Sequence, residues 1–395
     1  MTAQPSPVPV GSWTGQHRPL WSIDRASLPE RTSVKWRAHP ADVLPLWVAE
    51  MDTAPPGPVV GALEAVIRTG DIGYAWAEPY VDAVVDYAAG RWGVHIAREQ
   101  VRTVANIVAG LTELLRTLRG DGEVLVSTPV YGPLAQAALE AGRTVRPVPL
   151  AANWRLDLAA IEDAFATAPQ AAGSCVYVLC NPHNPTGVAH TRAELEALAA
   201  AARRFGVRVV SDEVHSPLSL TEAGHTSYLD VAPDSDAIVL FSASKAWNIA
   251  GAKAAVAIAG TGAVDTLEQL PLSLSRGASH LGVVAQLSAL RDGQDWLDAL
   301  VLDLRAARER LVEAVATHLP DAEVVRPEAS FLAWVDCRRL GLGPDPAAYF
   351  LDHARVALSS GLEFVAGGEG FVRLNFGTHP DLVEAAVERM AASLS

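Results

Sequence analysis

Residues 240–253, LFSASKAWNIAGAK, end an apolar run with small hydroxyls, a lysine and a glycine-punctuated turn. A lysine placed there is either a solvated charge at a strand end or a nucleophile held in a pocket. Three other stretches end apolar runs with polar side chains: LVSTPVY (125–131), CNPHNPTG (180–187) and VVSDEVH (209–215). Open α/β sheets bind ligands at the carboxyl ends of their strands. A tyrosine, an asparagine, an aspartate, a histidine and the lysine would then converge on one crevice. Those types suit one kind of cofactor. An aldehyde-bearing pyridinium needs an amine to form an imine, a carboxylate to keep its ring nitrogen protonated and donors to its phenolate. It also needs an aromatic face and a phosphate site. Lys245 can supply the amine, Asp212 the carboxylate, Asn181 a phenolate donor and Tyr131 a stacking ring, while Ser242 and Ser244 offer hydroxyls to a phosphate. The patterns GxxxxGK(S/T), GxGxxG after a strand, HExxH and GxSxG are absent.

Alternating runs must hold these residues in place. Short apolar stretches at 123–127, 144–150, 174–180, 207–211 and 237–242 are separated by helical patterns such as TRAELEALAAAARRF. Strands apolar on both faces with helices between them predict a mainly parallel sheet covered on both sides. Helices are expected near 58–68 and 80–91, and from Ala109 through LTELLRTL. After DGQDWL a long helix runs to about His318, followed by strands at 331–336 and 371–376 and helices near 346–354 and 380–393. The fold class is therefore α/β, with a large domain built on a mainly parallel mixed sheet and a smaller α+β domain. Residues 1–57, rich in Pro and Trp, form an arm that contributes to the small domain; 58–285 form the large domain and 286–395 the C-terminal small domain.

The bulk composition narrows the classes further. Half of the 395 residues are hydrophobic and 19% are charged, as in a packed globular protein. A net charge of −14 argues against a nucleic-acid surface. No run approaches the ~20 apolar residues of a membrane span, and the N-terminus shows no secretory pattern, so a cytoplasmic protein is expected. Cys175, Cys180 and Cys337 lack metal spacing and read as buried thiols.

The motifs LWVAEMD (46–52), CNPHNPTG, SDEVH, SASKAWNIAGAK and GGEGFVRLN (367–375) resemble those of fold-type I pyridoxal-phosphate enzymes of the class I/II aminotransferase group, and within it the MalY/PatB-type C–S β-lyases. The resemblance spans residue 30 to the end. It implies the PLP-transferase fold, pyridoxal 5′-phosphate as cofactor, and an amino-acid substrate. Lys245 matches the lysine that holds the cofactor and takes the α-proton, Asp212 the partner of the pyridine nitrogen, and Tyr131 the stacked ring. Asn181 and His215 match positions near the ring oxygen. Val108 and Ala109 match residues whose helix-start amides contact the phosphate, joined by Ser242 and Lys253. Tyr74 matches a tyrosine that reaches the phosphate and substrate of a neighbouring subunit, so the resemblance implies a homodimer with the active site at its interface. Arg373 matches the arginine that grips the substrate carboxylate. Glu50 stands where relatives carry aspartate.

Two outcomes share these residues. A β-lyase expels a thiolate from Cβ of cystathionine or another cysteine S-conjugate, leaving pyruvate and ammonia; an aminotransferase reprotonates at the cofactor instead. The subgroup resemblance favours the lyase. A regulatory protein, non-catalytic or with a dual role, is the third reading, and the intact Lys245, Asp212 and Arg373 argue against loss of chemistry.

Overall fold

A computed structural model describes residues 18–118, 122–168 and 175–395. Residues 1–17 of the expected arm and Ser174 lie outside the described residues. The strands in chain order are β1 (Leu44–Pro45), β2 (Val101–Val104), β3 (Val124–Thr128), β4 (Val145–Pro149), β5 (Val176–Cys180), β6 (Arg208–Asp212) and β7 (Ile238–Phe241). They continue with β8 (Ala255–Ala259), β9 (Glu323–Val325), β10 (Leu332–Asp336), β11 (Val356–Ala357), β12 (Ser359–Ser360) and β13 (Phe371–Asn375).

Seven strands form one sheet in the order β2-β8-β7-β6-β5-β3-β4. The five from β3 to β7 run parallel, and β8 runs antiparallel to both its neighbours. Every residue of β3, β5, β7 and β8 is buried. Because side chains alternate across a strand, each of these strands feeds two cores. Val124, Val126, Val176, Val178, Ile238 and Leu240 pack on one face with Leu111, Leu114 and Leu134. Leu125, Tyr177, Leu179, Val239 and Phe241 pack on the other with Leu195, Leu198 and Trp247. Each buried Val, Leu or Ile contributes about 1.5–3 kcal/mol of burial free energy, which is why both faces must be covered by helices such as Ile107–Thr117 and Arg192–Phe205. Thr191 and Glu194 cap the latter helix reciprocally, a start signal plain in TRAE.

A four-stranded antiparallel sheet, β12-β13-β10-β9, carries the C-terminal third and packs beside the long helix Gln294–His318. The N-terminal segment joins it where β1 pairs with β11, Leu44 opposite Val356. Strands β2 and β8 were not among the expected runs. VRTV is only four residues long and is broken by an exposed Arg102, and three of the five residues of AVAIA are alanine, which is depleted in strands, so neither stands out as a strand run despite its β-branched residues. The three cysteines are buried free thiols. Among the described residues no helix is long and apolar enough to cross a membrane, and no His, Cys, Asp and Glu cluster is arranged for a metal.

Candidate active site

Topology alone gathers the reactive side chains. The parallel strands β3, β5, β6 and β7 end at one edge and lead into Tyr131, Asn184, Asp212–His215 and Ser242–Lys245. Strand β8 runs the other way, with Val256 opposite Phe241, so its start brings Lys253 and Ala254 to the same edge. Strand β2 reverses again, with Val104 opposite Ala255, and the helix Ile107–Thr117 therefore begins there too. Between these ends lies a cleft of about 820 Å³ counting its open mouth, lined by Asn106, Val108, Tyr131, Asn184, Asp212, His215, Ser242, Ser244, Lys245 and Lys253.

Lys245 donates from Nζ to the Ala49 carbonyl at 2.9 Å. Burial and the Arg373 cation push its pKa down to about 8, against the pull of Asp212 and Glu50. Burial pushes Asp212 up to about 7; the Val214 amide, which donates to Oδ1 at 3.1 Å, and Lys245 favour its anion, while Glu213 opposes it. His215 is buried with Nδ1 3.0 Å from Ser330 Oγ, and burial with the Lys245 and Arg373 cations holds it down to about 3, so it is neutral. Burial raises the Tyr131 phenol, partly offset by Arg373.

Arg373 is buried in β13. Its guanidinium donates to Asn184 Oδ1, the Trp47 carbonyl and Ser359 Oγ, each at 3.0 Å, and lies 5.1 Å from the Phe364 ring centroid. It has no carboxylate partner among the described residues, and its Nε is buried without a partner. A buried guanidinium held only by neutral groups is a site for an anion. The segment 47–53 is strapped beside it. Asn375 donates to the Val48 and Glu50 carbonyls, Asn248 brackets Met51 through its amide and carbonyl, and Ser33 donates to Glu50 Oε1 at 2.6 Å.

At the other end of the cleft, Asn106 caps the helix by accepting from the Ala109 amide at 3.0 Å. The first amides, Ile107 and Val108, are left to face the cleft. Ser242 donates to the Ala254 carbonyl at 2.8 Å and lies 3.2 Å from Gln286 Oε1, whereas the Ser244 hydroxyl has no protein partner among the described residues. Lys253 is exposed at the mouth without an acidic partner among them.

Several expected residues sit elsewhere. Asn181 is a correction: it is fully buried, its Nδ2 donates to the Thr226 carbonyl and its Oδ1 accepts from the His190 amide, and it does not line the cleft. Asn184, three residues on in the same motif, lines the cleft instead. Ala109 is a second correction, because its amide is taken by the Asn106 cap. Tyr74 is fully exposed and does not line the cleft of its own chain. His183 is buried, with Nε2 2.8 Å from the Pro129 carbonyl, and is structural. Sequence reasoning missed Asn106, although an asparagine just before a helical run is the common N-cap, and Ala49, whose carbonyl leaves no mark in a sequence.

A doubly covered parallel sheet with a lysine, an aspartate and a helix start at its carboxyl edge defines a cofactor-dependent α/β enzyme class. The chain belongs to the aminotransferase class I and II family, whose model matches residues 77–390. It is 45% identical to a Mycobacterium leprae (strain TN) protein provisionally named cystathionine beta-lyase, over 95% of this chain and 98% of that protein. It is 31% identical to cystathionine beta-lyase PatB of Bacillus subtilis (strain 168), over 92% and 97%. The crystal structure of the PLP-bound C-S lyase from Staphylococcus hominis matches with a TM-score of 0.87 at 26% identity, covering 96% of this chain and 99% of that one.

Proposed function

We propose that this protein is a pyridoxal-phosphate-dependent carbon–sulfur β-lyase that eliminates a thiol from cystathionine or a related cysteine S-conjugate. The observation that carries the chemistry is the convergence of Lys245, Asp212 and the bare helix start on one cleft, with an unmatched Arg373 beside it. The names of the similar mycobacterial and Bacillus proteins favour elimination over transamination.

The residues fit the cofactor. Asp212 is the single carboxylate in the cleft wall, and burial disfavours its charge until a cation comes to meet it. The opposite end offers two amides, the Ser244 hydroxyl and Lys253 to a phosphate, with no carboxylate among the described lining residues there to repel it, while the Ser242 hydroxyl, expected as a phosphate ligand, is engaged by the Ala254 carbonyl. When bound, pyridoxal phosphate supplies an electrophilic carbon for amines and a ring that accepts the electron pair released at Cα. Lys245 would hold it through Nζ, Asp212 would face the ring nitrogen, Asn184 and His215 the ring oxygen, and Tyr131 the ring face.

Arg373 holds the substrate carboxylate and so fixes the orientation of the bonds at Cα. Lys245, its pKa lowered to about 8, is a competent base at mildly alkaline pH and removes the Cα proton from its place beside the Ala49 carbonyl. The Cβ–S bond then breaks, the thiolate leaves with the bonding pair, and one water is consumed in releasing pyruvate and ammonia. Residues 58–285 form the cofactor-binding domain in this reading, with 1–57 and 286–395 making the smaller one; the parallel pairing of β1 with β11 supports that grouping. The protein acts as a cytoplasmic homodimer whose Tyr74 serves the partner's site, a reading supported by its complete exposure in the single chain.

The test is to mix protein, pyridoxal phosphate and cystathionine and to measure free thiol and pyruvate. Both appear in equal amounts, and both vanish in Lys245→Ala. Amination of an added keto acid without thiol release would overturn the lyase reading in favour of an aminotransferase.

A further inference from the structure

The loop between β9 and β10 holds a serine in a conformation that serines avoid. Ser330 sits at φ +72°, in the left-handed region, where glycine is at ease and a Cβ is strained. The neighbouring backbone keeps it there. Residues 328–330 lie antiparallel to 218–220: the Leu220 amide donates to the Glu328 carbonyl at 2.8 Å, and the Ser330 amide donates to the Leu218 carbonyl at 2.9 Å. The strained side chain makes one contact. Ser330 Oγ lies 3.0 Å from His215 Nδ1, and the Phe331 ring stands edge-on to the same imidazole at 5.8 Å. A strained residue held by its surroundings points to function when it touches a site. Here it touches a histidine that lines the cleft.

The contact also decides where the imidazole carries its hydrogen. Burial and two nearby cations keep His215 neutral, and a neutral ring has one N–H and one acceptor nitrogen. Ser330 is buried, and its hydroxyl has no other partner among the described residues, so Nδ1 is the acceptor within its reach. A ring hydrogen on Nδ1 would leave the hydroxyl hydrogen buried and unmatched, which protein interiors avoid. The hydroxyl therefore donates, and the ring hydrogen goes to Nε2. Nε2 has no protein partner among the described residues, and the ring borders the cleft.

We propose that Ser330 is a positioning residue for the cofactor: by donating to Nδ1 it fixes the His215 ring and its Nε2 hydrogen, so that His215 donates to the ring oxygen of pyridoxal phosphate. The inference rests on the pyridoxal-phosphate reading above. A phenolate needs a donor, and the opposite tautomer would offer it a lone pair. Such a donor stabilises the phenolate most when the cofactor-linked Lys245 nitrogen is unprotonated, and so lowers the pH at which that nitrogen loses its proton. The charged groups facing Lys245 are Arg373, Asp212, Glu50 and Lys253, and those facing His215 are Lys245 and Arg373. Ser330 carries no charge, so replacing it leaves that field in place.

The test titrates the visible absorbance of the bound cofactor against pH in the parent, Ser330→Ala and Ser330→Gly. Both variants remove the hydroxyl; alanine keeps the backbone strain and glycine relieves it. The midpoint rises by about half a pH unit or more in both, even though their denaturation midpoints differ. A midpoint unmoved in both, or moved in one alone, would trace any effect to the backbone and overturn the inference. A second measurement needs no variant at 330. Nitrogen NMR of histidine-labelled protein, with the His215 signals assigned against His215→Gln, shows the ring hydrogen on Nε2. A hydrogen on Nδ1 would overturn the proposal with or without cofactor. A hydrogen on Nε2 in a parent that binds no pyridoxal phosphate would strike the underlying cofactor reading instead.

Discussion

Lys245 is one of three lysines in the chain. Lys35 is fully buried and bonded to Asp52 Oδ2 at 2.7 Å, and Lys253 lies exposed at the cleft mouth. Only Lys245 stands between Asp212 and the Ala49 carbonyl with its charge disfavoured. In the proposed function Arg373 is its counterpart for the substrate. A guanidinium presents two parallel donors to a carboxylate, and a lysine presents one point charge. Arg373→Lys therefore lowers kcat/KM on the order of tenfold to a hundredfold, mostly through KM; steady-state kinetics check this, and an unchanged KM would move the carboxylate site elsewhere. Lys245, Asp212 and Arg373 were legible in the sequence because each is a charged residue interrupting an apolar strand or its end. Asn184 was not. CNPHNPTG offers two asparagines before proline, and only the partner inventory shows that Asn181 is spent on Thr226 and His190.

Among the elements, the parallel strands β3 and β5–β7 were readable because each is a continuous apolar run. The reversal of β8 was not, since alanine-rich AVAIA carries no pairing direction, yet that reversal delivers Lys253 and the helix start to the site. The loop between β12 and β13 is a second element whose shape the sequence hid. A Cβ at Gly361 would overlap the Gly368 carbonyl, the Val130 amide donates to Phe364 at 3.1 Å, and the Phe364 ring underlies Arg373. In this loop Val365 sits at φ +70° with its side chain half exposed. A β-branched residue is strained in that region and glycine is not. Val365→Gly is expected to raise stability by about 1 kcal/mol, seen as a higher denaturation midpoint. A loss of stability would mean that the valine side chain contributes more than its backbone costs.

For the whole molecule, Ile67, Ile72, Tyr74 and Trp76 are exposed within ten residues of one another, whereas the other exposed large apolar side chains among the described residues are scattered along the chain. Exposed apolar side chains gathered in one segment are what an interface would cover, as the proposed dimer in which Tyr74 completes the neighbour's site requires. Mixing Tyr74→Ala with Lys245→Ala protein would then restore activity to about a quarter of the parent, because half the dimers are hybrids with one intact site. Two inactive variants that stay inactive when mixed would confine the site to one chain.

The most direct measurement uses the scarcity of lysine. Holoprotein made with pyridoxal phosphate is reduced with borohydride and digested, and the peptide bearing the pyridoxyl group is identified by mass spectrometry. The label is predicted on Lys245 alone. Label on Lys253 or Lys35, or on no lysine, would contradict the account of this site.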